Sequence, residues 1–566
     1  MFTLVSVLIH IQFFYPIYTA SELVIPYGLK PFDICSQNPI LWRYLKITHI
    51  ISYLFSNIIL MHFLISKLSN SIQPFFNKKS SLHNLEHFTN NELHLEIGYN
   101  ASSKSIISIP ESGLYQNFLI TGTIGSGKTS SAMYPFTEQF IKFQSNTQKM
   151  AMLILDVKGN YYKQVKEFCK KYNRLSDLIV IELHSNIHYN PLHKPNLKPQ
   201  VLANRLKTIL LLFSENNTES YWLDKAEQVL TECIKLCRFY NHGYVTFSEL
   251  HKLITIPNYY KEKIPILKDR FTHSQFKYHE IYELNACLDF FQKEFETLDQ
   301  RTKAILISEI TRITNTFVSD YDVMSCFCSS EKDLSFTGFE EVLKKGKIVV
   351  LNMNISEYNI LSKTIATYLK LDFQSEILSN LSKNTVYPSC FICDEYDKYA
   401  SKTDAEFFSL SREAKCINIV STQSYSSLKN TLKDDSFVKV IVQNLINKIW
   451  FRTDDIFTIE EAQKQLGKEE KIRTSKSFSE NAKETTFSYI TNTLNSENSN
   501  ISESISTYVQ NDYIYEANYF TQNLETFFAL CFLSDGHKIY PPCKLEMFPY
   551  FKNRKEFFDE KRKSKT

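Results

Sequence analysis

Glycine is scarce in this chain, with 12 residues among 566. Chance is therefore a poor explanation for the cluster of three glycines at positions 122, 125 and 127. Glycine is needed where the backbone adopts a positive φ angle or passes close to a ligand. The scarcity itself is typical of coding bias, because Ile, Lys, Asn, Phe and Tyr are abundant, and it carries no functional prediction.

A zinc-type arrangement of cysteine with histidine is also absent, although the chain has 12 cysteines. Cys390 and Cys393 form a Cys-x-x-Cys in an apolar stretch with no second pair. Buried reduced thiols in a cytosolic setting are therefore favoured over a redox or metal site. An excess of one charge is lacking too, since the net charge is +3, so composition argues neither for nor against a nucleic-acid partner.

The glycine cluster belongs to residues 122–129, which read Gly-Thr-Ile-Gly-Ser-Gly-Lys-Thr and match the phosphate-binding P-loop. A strand predicted over 117–121 precedes it and a helix over 131–141, kinked at Pro135, follows it. A chance match in a loop is the alternative, but strand, loop and helix occur in the required order. The predicted ligands are ATP and Mg²⁺, with Lys128 at the β- and γ-phosphates and Thr129 on the metal. The residues of the predicted nucleotide cradle are Gly122, Thr123, Ile124, Gly125, Ser126, Gly127, Lys128 and Thr129.

A second candidate element, an acidic pair, follows the apolar strand predicted over 389–393. Asp394 is predicted to hold Mg²⁺, and Glu395 to orient and deprotonate the attacking water. An ordinary acidic cap after a strand is the alternative. Gln423 follows another predicted strand and is a candidate sensor of the γ-phosphate, or simply part of a turn. These residues fall at carboxyl ends of strands, where open α/β sheets bind ligands.

Two arginines are candidates for an arginine finger that reaches a neighbouring subunit's γ-phosphate. Arg412 lies between the acidic pair and Gln423 and is the first choice, whereas Arg452 is the second. An ordinary surface ion pair is the alternative for Arg412.

Short apolar runs between helical stretches predict an α/β fold with a parallel sheet. We assign the α/β domain to residues 89–199 and 336–550, with an all-α insertion at 200–335. Residues 67–88 read as a polar linker, 468–512 as a mobile polar excursion, and 551–566 as a basic tail.

Residues 1–66 are predicted to form a transmembrane hairpin, from charge-free apolar runs at 2–18 and 47–65. A cleaved signal peptide is the alternative for the first run, but a positively charged n-region is missing. Because ATP is inside the cell, both ends of the chain should face the cytoplasm. The prediction is a multi-pass protein of the cell membrane.

Taken together, these blocks resemble the TraG/TraD family of type IV secretion coupling proteins. Further segments carry the resemblance: 154–159, 190–192, Tyr221-Trp222, 533–536 and 548–551. The resemblance implies a membrane-anchored, RecA-like ATPase that assembles as a homo-hexamer and moves DNA, a relaxase or other cargo into the channel proteins. By position, it assigns nucleotide and metal binding to Lys128, Thr129 and Asp394, and catalysis to Glu395, Gln423 and a trans-acting Arg412. Arg412 is followed here by Glu-Ala-Lys, where relatives often have a glycine-containing turn.

Two competing functions follow from the same motifs. One is an FtsK- or HerA-like motor that pumps DNA within the cell. The other is a membrane receptor that binds ATP without hydrolysing it, and the presence of Glu395 argues against it.

Overall fold

The computed structural model describes residues 92–552, together with residues 40, 44 and 47. Within the first range, the gaps are residue 104 and residues 145–147, 214–219, 274–276, 383–385, 481–485, 489–492 and 496–500. In the described part, no helix is both long and apolar enough to cross a bilayer. The predicted spans, the linker and the tail beyond residue 552 lie outside the described residues, apart from residues 40, 44 and 47.

Strands and helices alternate through the first and last thirds of the described chain, as the sequence predicts. The strands are β1 His94–Asn100, β2 Ser105–Pro110, β3 Phe118–Thr121, β4 Ala151–Leu155, β5 Leu178–Ile181, β6 Ile348–Leu351, β7 Ser389–Cys393, β8 Cys416–Thr422, β9 Asn447–Trp450, β10 Lys468–Glu480, β11 Thr486–Ser488, β12 Thr493–Asn495, β13 Ile501–Tyr513, β14 Phe528–Phe532 and β15 Cys543–Met547.

The helices are α1 Glu111–Leu114, α2 Tyr134–Lys142, α3 Tyr161–Lys171, α4 Pro199–Phe213, α5 Ser220–Tyr240, α6 Phe247–Thr255, α7 Tyr259–His273, α8 Tyr278–Asp289, α9 Gln300–Val318, α10 Tyr321–Phe327, α11 Phe339–Lys345, α12 Ile355–Ser382, α13 Asp404–Leu410, α14 Tyr425–Leu432, α15 Asp435–Asn444, α16 Ile456–Leu466 and α17 Ala517–Thr521. Wide π-turns span Thr129–Met133 and Phe290–Phe295, and 3₁₀ turns span Leu175–Asp177, Glu331–Asp333 and Tyr396–Lys398.

The main sheet of the described residues has 11 strands in the order β2-β1-β15-β14-β9-β3-β8-β7-β4-β6-β5. The seven strands from β9 to β5 pair in parallel, and the other four pair antiparallel at one side. The central strands are buried along their whole length because helices cover both faces. This mixed sheet with a large parallel part confirms the α/β prediction.

The segment between β5 and β6 is helical in its described part, and the buried residues of these helices form no core separate from that of the sheet. Buried residues of α4, α5, α6 and α9 belong to one continuous core with residues from one face of β4, β6 and β7. Phe247 and Phe317 stack inside it with ring centroids 3.9 Å apart. The boundaries at 200 and 335 therefore stay a prediction.

Residues 468–480 and 501–513 form a two-stranded β-ribbon, a regular structure that was not predicted for the polar excursion at 468–512. β10 and β13 pair antiparallel from Lys468↔Tyr513 to Glu480↔Ile501. Ile472 and Val509 face each other across this pair and are 75% and 63% exposed. The ribbon is a regular structure with little burial, which explains why a composition argument misses it.

The Cys-x-x-Cys is buried, as predicted. Cys390 and Cys393 are free thiols with no exposed surface in β7. Burial raises the pKa of both thiols well above the usual value, so they stay protonated and are unreactive.

Candidate nucleotide-binding site

The glycine-rich loop follows β3, which lies between β8 and β9 in the middle of the sheet. Its Thr123 N–H donates to the Arg452 carbonyl oxygen (2.8 Å), and the Ser126 hydroxyl donates to the Thr123 carbonyl oxygen (2.8 Å). Gly127 has a φ of +102°, and a Cβ there would lie 2.7 Å from the Phe527 ring. Glycine is thus required both by backbone conformation and by close packing.

The helix after the loop opens as a wide turn. The Tyr134 N–H donates to the Thr129 carbonyl oxygen, five residues back. Pro135, the next residue, has no N–H to donate, and the regular α-helix continues from Tyr134 to Lys142. The irregularity predicted at Pro135 is present, although it is a π-turn just before the proline.

Lys128 is 6% exposed and folds over the loop. Its ammonium group donates to the carbonyl oxygens of Gly122 and Thr123, the latter at 3.3 Å. Burial lowers the pKa of this lysine, while the nearby carboxylates of Glu395 and Asp394 oppose the shift. The cation stands where phosphate oxygens would replace the carbonyls as its partners.

Thr129 and Asp394, both predicted metal ligands, are in direct contact. The Thr129 hydroxyl donates to Oδ2 of Asp394 (2.8 Å), while the Ser421 hydroxyl and the Glu395 N–H (3.2 Å) donate to Oδ1. A hydroxyl beside a carboxylate is an oxygen donor set that suits Mg²⁺. Sequence reasoning missed Ser421, whose position at the carboxyl end of β8, two residues before Gln423, was the available signal.

Glu395 combines burial with an unsatisfied oxygen. It is 7% exposed and has a left-handed backbone conformation with φ +52°. Among the described residues, no hydrogen-bond donor reaches its Oε2. Burial raises the pKa of this carboxyl, helped by the charge of Asp394 and opposed by Lys128; a smaller contribution from the Gln423 side chain lowers it. A strained, orphaned carboxylate beside the P-loop lysine fits a ligand-dependent role, and the residues present fit ATP with Mg²⁺.

Asp156 also follows a strand at this edge, but its carboxylate has another task. It accepts the N–H groups of Lys158, Asn160 and Tyr161 at 3.1–3.2 Å and so caps α3. The Tyr399 hydroxyl donates to its carbonyl oxygen (3.2 Å). Asp156 therefore shapes the neighbouring loop.

A buried polar cluster behind the acidic pair has no counterpart in the sequence analysis. The Asp404 carboxylate accepts from Lys370 (2.6 Å), from the Tyr396 hydroxyl (2.6 Å), from Gln374 (2.9 Å) and from the Ser401 N–H (2.9 Å). Lys370 and Asp404 have no exposed side-chain surface. Since Tyr396 directly follows Glu395, this cluster attaches the turn after Glu395 to α12. No motif signals it, because its members are spread over three separate elements.

The two candidate finger residues differ in their distance from the glycine-rich loop: Arg412 lies away from it, whereas the main chain of Arg452 contacts it. Arg412 is exposed and precedes β8, whereas Gln423 follows it. The strand's seven residues separate the two by roughly 20 Å. The Arg412 guanidinium contacts the Gly536 carbonyl oxygen at 3.5 Å. Arg452 is exposed, and its main chain holds the P-loop of its own subunit through Thr123.

Two family models match the chain. Residues 102–259 match the type IV secretion-system coupling protein DNA-binding domain. Residues 388–510 match the TraM recognition site of TraD and TraG. The chain belongs to the TraG/TraD-like coupling proteins of type IV secretion systems. The resemblance stated from the motifs is thereby confirmed, and the two matched segments contain the P-loop and the acidic pair of this coupling protein.

Solved structures agree on the fold. The bacterial conjugative coupling protein TrwBdeltaN70, in its unbound monoclinic form, matches with a TM-score of 0.52 at 13% identity. That match covers 80% of this chain and 88% of the other. The plasmid coupling protein TrwB in complex with ADP and Mg²⁺ matches with a TM-score of 0.51 at 13% identity, over 79% and 88% of the two chains. A search of curated proteins gives no match to this coupling protein.

Proposed function

We propose that this coupling protein hydrolyses ATP to drive the transfer of DNA, with an attached relaxase or other cargo, into a type IV secretion channel. One observation carries the proposal: Lys128, the Thr129–Asp394 pair and the orphaned Glu395 oxygen converge at the carboxyl ends of β3 and β7, the two strands on either side of β8. Membership of the coupling-protein family supplies the context in which such a site would work.

Each residue has a task that its geometry permits. Lys128 exchanges its two carbonyl partners for β- and γ-phosphate oxygens. Thr129 and Asp394 would hold Mg²⁺, and the bound ion would supply positive charge beside the phosphates. Glu395 accepts a proton from the attacking water through Oε2, and burial, which raises the pKa of this carboxyl, makes it a stronger base than an exposed glutamate. Gln423, adjacent to this carboxylate, reports whether the γ-phosphate is present.

The site is completed in a homo-hexameric ring, in which an arginine arrives from the neighbouring subunit. Arg412 is the first candidate because it is exposed at the sheet edge opposite the cradle of its own subunit. Arg452 is the second. The ring is placed at the cell membrane by the segment 1–66, with the ATPase in the cytoplasm and the helical region 200–335 towards the cargo.

The family assignment favours this function over an FtsK- or HerA-like motor, because the matched family models are those of coupling proteins. The polar cradle and the unsatisfied general base favour turnover over simple nucleotide sensing.

The test is DNA-stimulated ATP hydrolysis by the full chain. Lys128→Ala should lower turnover by about 10²–10³-fold, as expected for loss of a preorganised charge at the transition state. Lys142→Ala, which removes an exposed lysine at the end of α2, is the matched control and should leave turnover unchanged. A chain that hydrolyses no ATP with DNA present, or one whose turnover survives Lys128→Ala, contradicts the proposal.

The trans arginine needs a separate experiment. Arg412→Ala subunits mixed with Glu395→Gln subunits should recover part of the activity, because some interfaces then hold both an intact arginine and an intact glutamate. Absence of recovery at every mixing ratio rejects Arg412, and the same mixture with Arg452→Ala then tests the second candidate.

A further inference from the structure

Four aromatic residues surround the start of the helix that follows the P-loop. Three of them come from the end of the chain, far from the loop in sequence: Phe527, Tyr550 and Phe551. We call these three the aromatic platform. The fourth, Tyr134, belongs to α2. Nothing in the phosphate chemistry described above requires aromatic side chains here.

The platform is fastened to the P-loop by main-chain hydrogen bonds. The Phe527 N–H donates to the Ser126 carbonyl oxygen (3.2 Å), and the Tyr550 N–H donates to the Ser130 carbonyl oxygen (2.9 Å). Phe527 has a φ of +70°, which is unusual for a bulky residue, and its ring covers Gly127. A strained backbone held against the loop indicates that the position of this segment matters.

The rings also support one another. Tyr550 meets Tyr134 edge-on, with centroids 5.0 Å apart and an interplanar angle of 80°. Phe551 lies 5.8 Å from Phe527 and 5.6 Å from Tyr550, again at steep angles. These are favourable edge-to-face distances, so the rings have defined orientations.

Two members of the platform nevertheless remain open to solvent. Tyr550 is 37% exposed and Phe551 is 59% exposed. Flat aromatic surface that is fixed in orientation, exposed, and attached to a nucleotide loop is suited to stacking against a planar ring.

The direction of the bound nucleotide points to the same place. The γ-phosphate must lie towards Glu395 and Asp394, because those carboxylates serve hydrolysis and metal binding. The α-phosphate and nucleoside therefore leave the loop on the other side, past Gly127 and Ser130, which are the residues that the platform contacts. We propose that Tyr550 and Phe551 stack on the nucleobase of the bound nucleoside triphosphate, an inference that rests on the proposed nucleotide site.

The proposal gives a role to the segment 548–551, which the catalytic scheme leaves unused. Stacking recognises the flat face shared by all bases. The platform therefore contributes affinity for a nucleoside triphosphate and discriminates it from inorganic phosphates, without choosing adenine over guanine.

The experiment compares equilibrium binding of ATP and of inorganic tripolyphosphate to the full chain, with Mg²⁺ present in both titrations. Tripolyphosphate presents the phosphates without the base. Phe551→Ala and Tyr550→Ala should each weaken ATP binding by about tenfold and leave tripolyphosphate binding unchanged. GTP affinity should fall by the same factor as ATP affinity. Phe551→Trp should retain wild-type affinity for ATP, and Tyr278→Ala, which removes an 87% exposed tyrosine in α8, is the control.

Each outcome is decisive. Equal losses for ATP and tripolyphosphate would assign the platform a purely structural role and overturn the proposal, as would unchanged ATP affinity in both alanine variants. Wild-type protein that binds neither compound would instead overturn the proposed nucleotide site itself. A loss confined to ATP and GTP, with rescue by tryptophan, is the result that supports base stacking.

Discussion

Two buried carboxylates nine residues apart, Glu395 and Asp404, differ in one respect. Asp404 has no exposed side-chain surface and accepts hydrogen bonds from four separate donors. Glu395 is nearly as buried, yet one of its oxygens has no donor among the described residues. Hydrogen bonds offset the cost of burying the Asp404 charge, whereas the unsatisfied oxygen of Glu395 leaves that cost uncompensated.

The two residues are also mechanically connected. Tyr396 follows Glu395 and donates to Asp404 at 2.6 Å. Lys370 donates both to Asp404 and to the Tyr399 carbonyl oxygen, so the whole turn after Glu395 is tied to α12. The hydrogen bonds around Asp404 thus hold the backbone of Glu395 in its left-handed conformation.

The largest expected effect concerns catalysis at Glu395. Glu395→Gln should lower ATP turnover by about 10²–10⁴-fold, because an amide cannot accept the proton of the attacking water. ATP affinity should change little, since Lys128 and Thr129 are intact. Steady-state hydrolysis and equilibrium binding check the two halves. A parallel loss of binding would mean that Glu395 contributes to the cradle and not to proton transfer.

Asp404 should give the opposite pattern, a loss of stability. Asp404→Ala leaves the Lys370 ammonium buried without a counter-charge, and this should lower the free energy of unfolding by about 3–5 kcal/mol. Thermal unfolding of the full chain followed by tryptophan fluorescence provides the measurement.

The double variant Asp404→Ala with Lys370→Met is the matched control and should recover much of the lost stability. If the single and double variants are equally destabilised, the unpaired Lys370 charge is not the cause of the lost stability. The loss of the hydrogen bonds that Tyr396 and Gln374 donate to Asp404 would then explain it.

Substitution of Ser421 should have a smaller effect, on metal-dependent nucleotide binding at the site that also contains Glu395. Ser421→Ala removes a hydrogen bond to the Asp394 carboxylate, and bonds to charged groups contribute about 1.5–3 kcal/mol. We expect a lower affinity for Mg²⁺, seen as a higher Mg²⁺ midpoint for nucleotide binding, and no global unfolding. Titration of Mg²⁺ at fixed ATP measures it, and an unchanged Mg²⁺ midpoint would limit Ser421 to a packing role.

The smallest effect is the pH dependence of stability. Burial raises the pKa of Glu395 in the folded protein above its unfolded value, so the folded state holds the proton more tightly and stability falls as pH rises through the raised pKa. Glu395→Gln should therefore be at least as stable as wild type at pH 7–8. The stability gained by the variant should vanish below the ordinary glutamate pKa, because Glu395 is then protonated in both the folded and the unfolded wild-type protein. Unfolding midpoints from pH 4 to 8 check this, and an advantage that grows with acidity would be the contrary result.

Sequence reasoning was successful where local structure depends on contiguous residues. The strand predicted over 117–121 is Phe118–Thr121, and the strand predicted over 389–393 is Ser389–Cys393. Short motifs encode these features because the backbone turn and the side chains are specified together.

The remaining features depend on contacts between distant segments. Lys370 and Asp404 are separated by 34 residues along the chain, and neither carries a local signal that distinguishes it from a solvated charge. Phe551 lies at the end of the described chain, yet its ring packs on Phe527, which covers Gly127. The β-ribbon was missed for another reason: its serines, threonines and charges conceal a strand pairing that depends on register and not on burial.

The continuous core between the helical region and the sheet has a consequence for motion. Leu153 and Phe391 of the sheet lie in the same cluster as Leu230 and Ile310 of the helices. Two bodies that share packed side chains cannot swing about a hinge without exposing apolar surface to water. A displacement started at the phosphates would therefore move the sheet and the helices together rather than about a hinge between them.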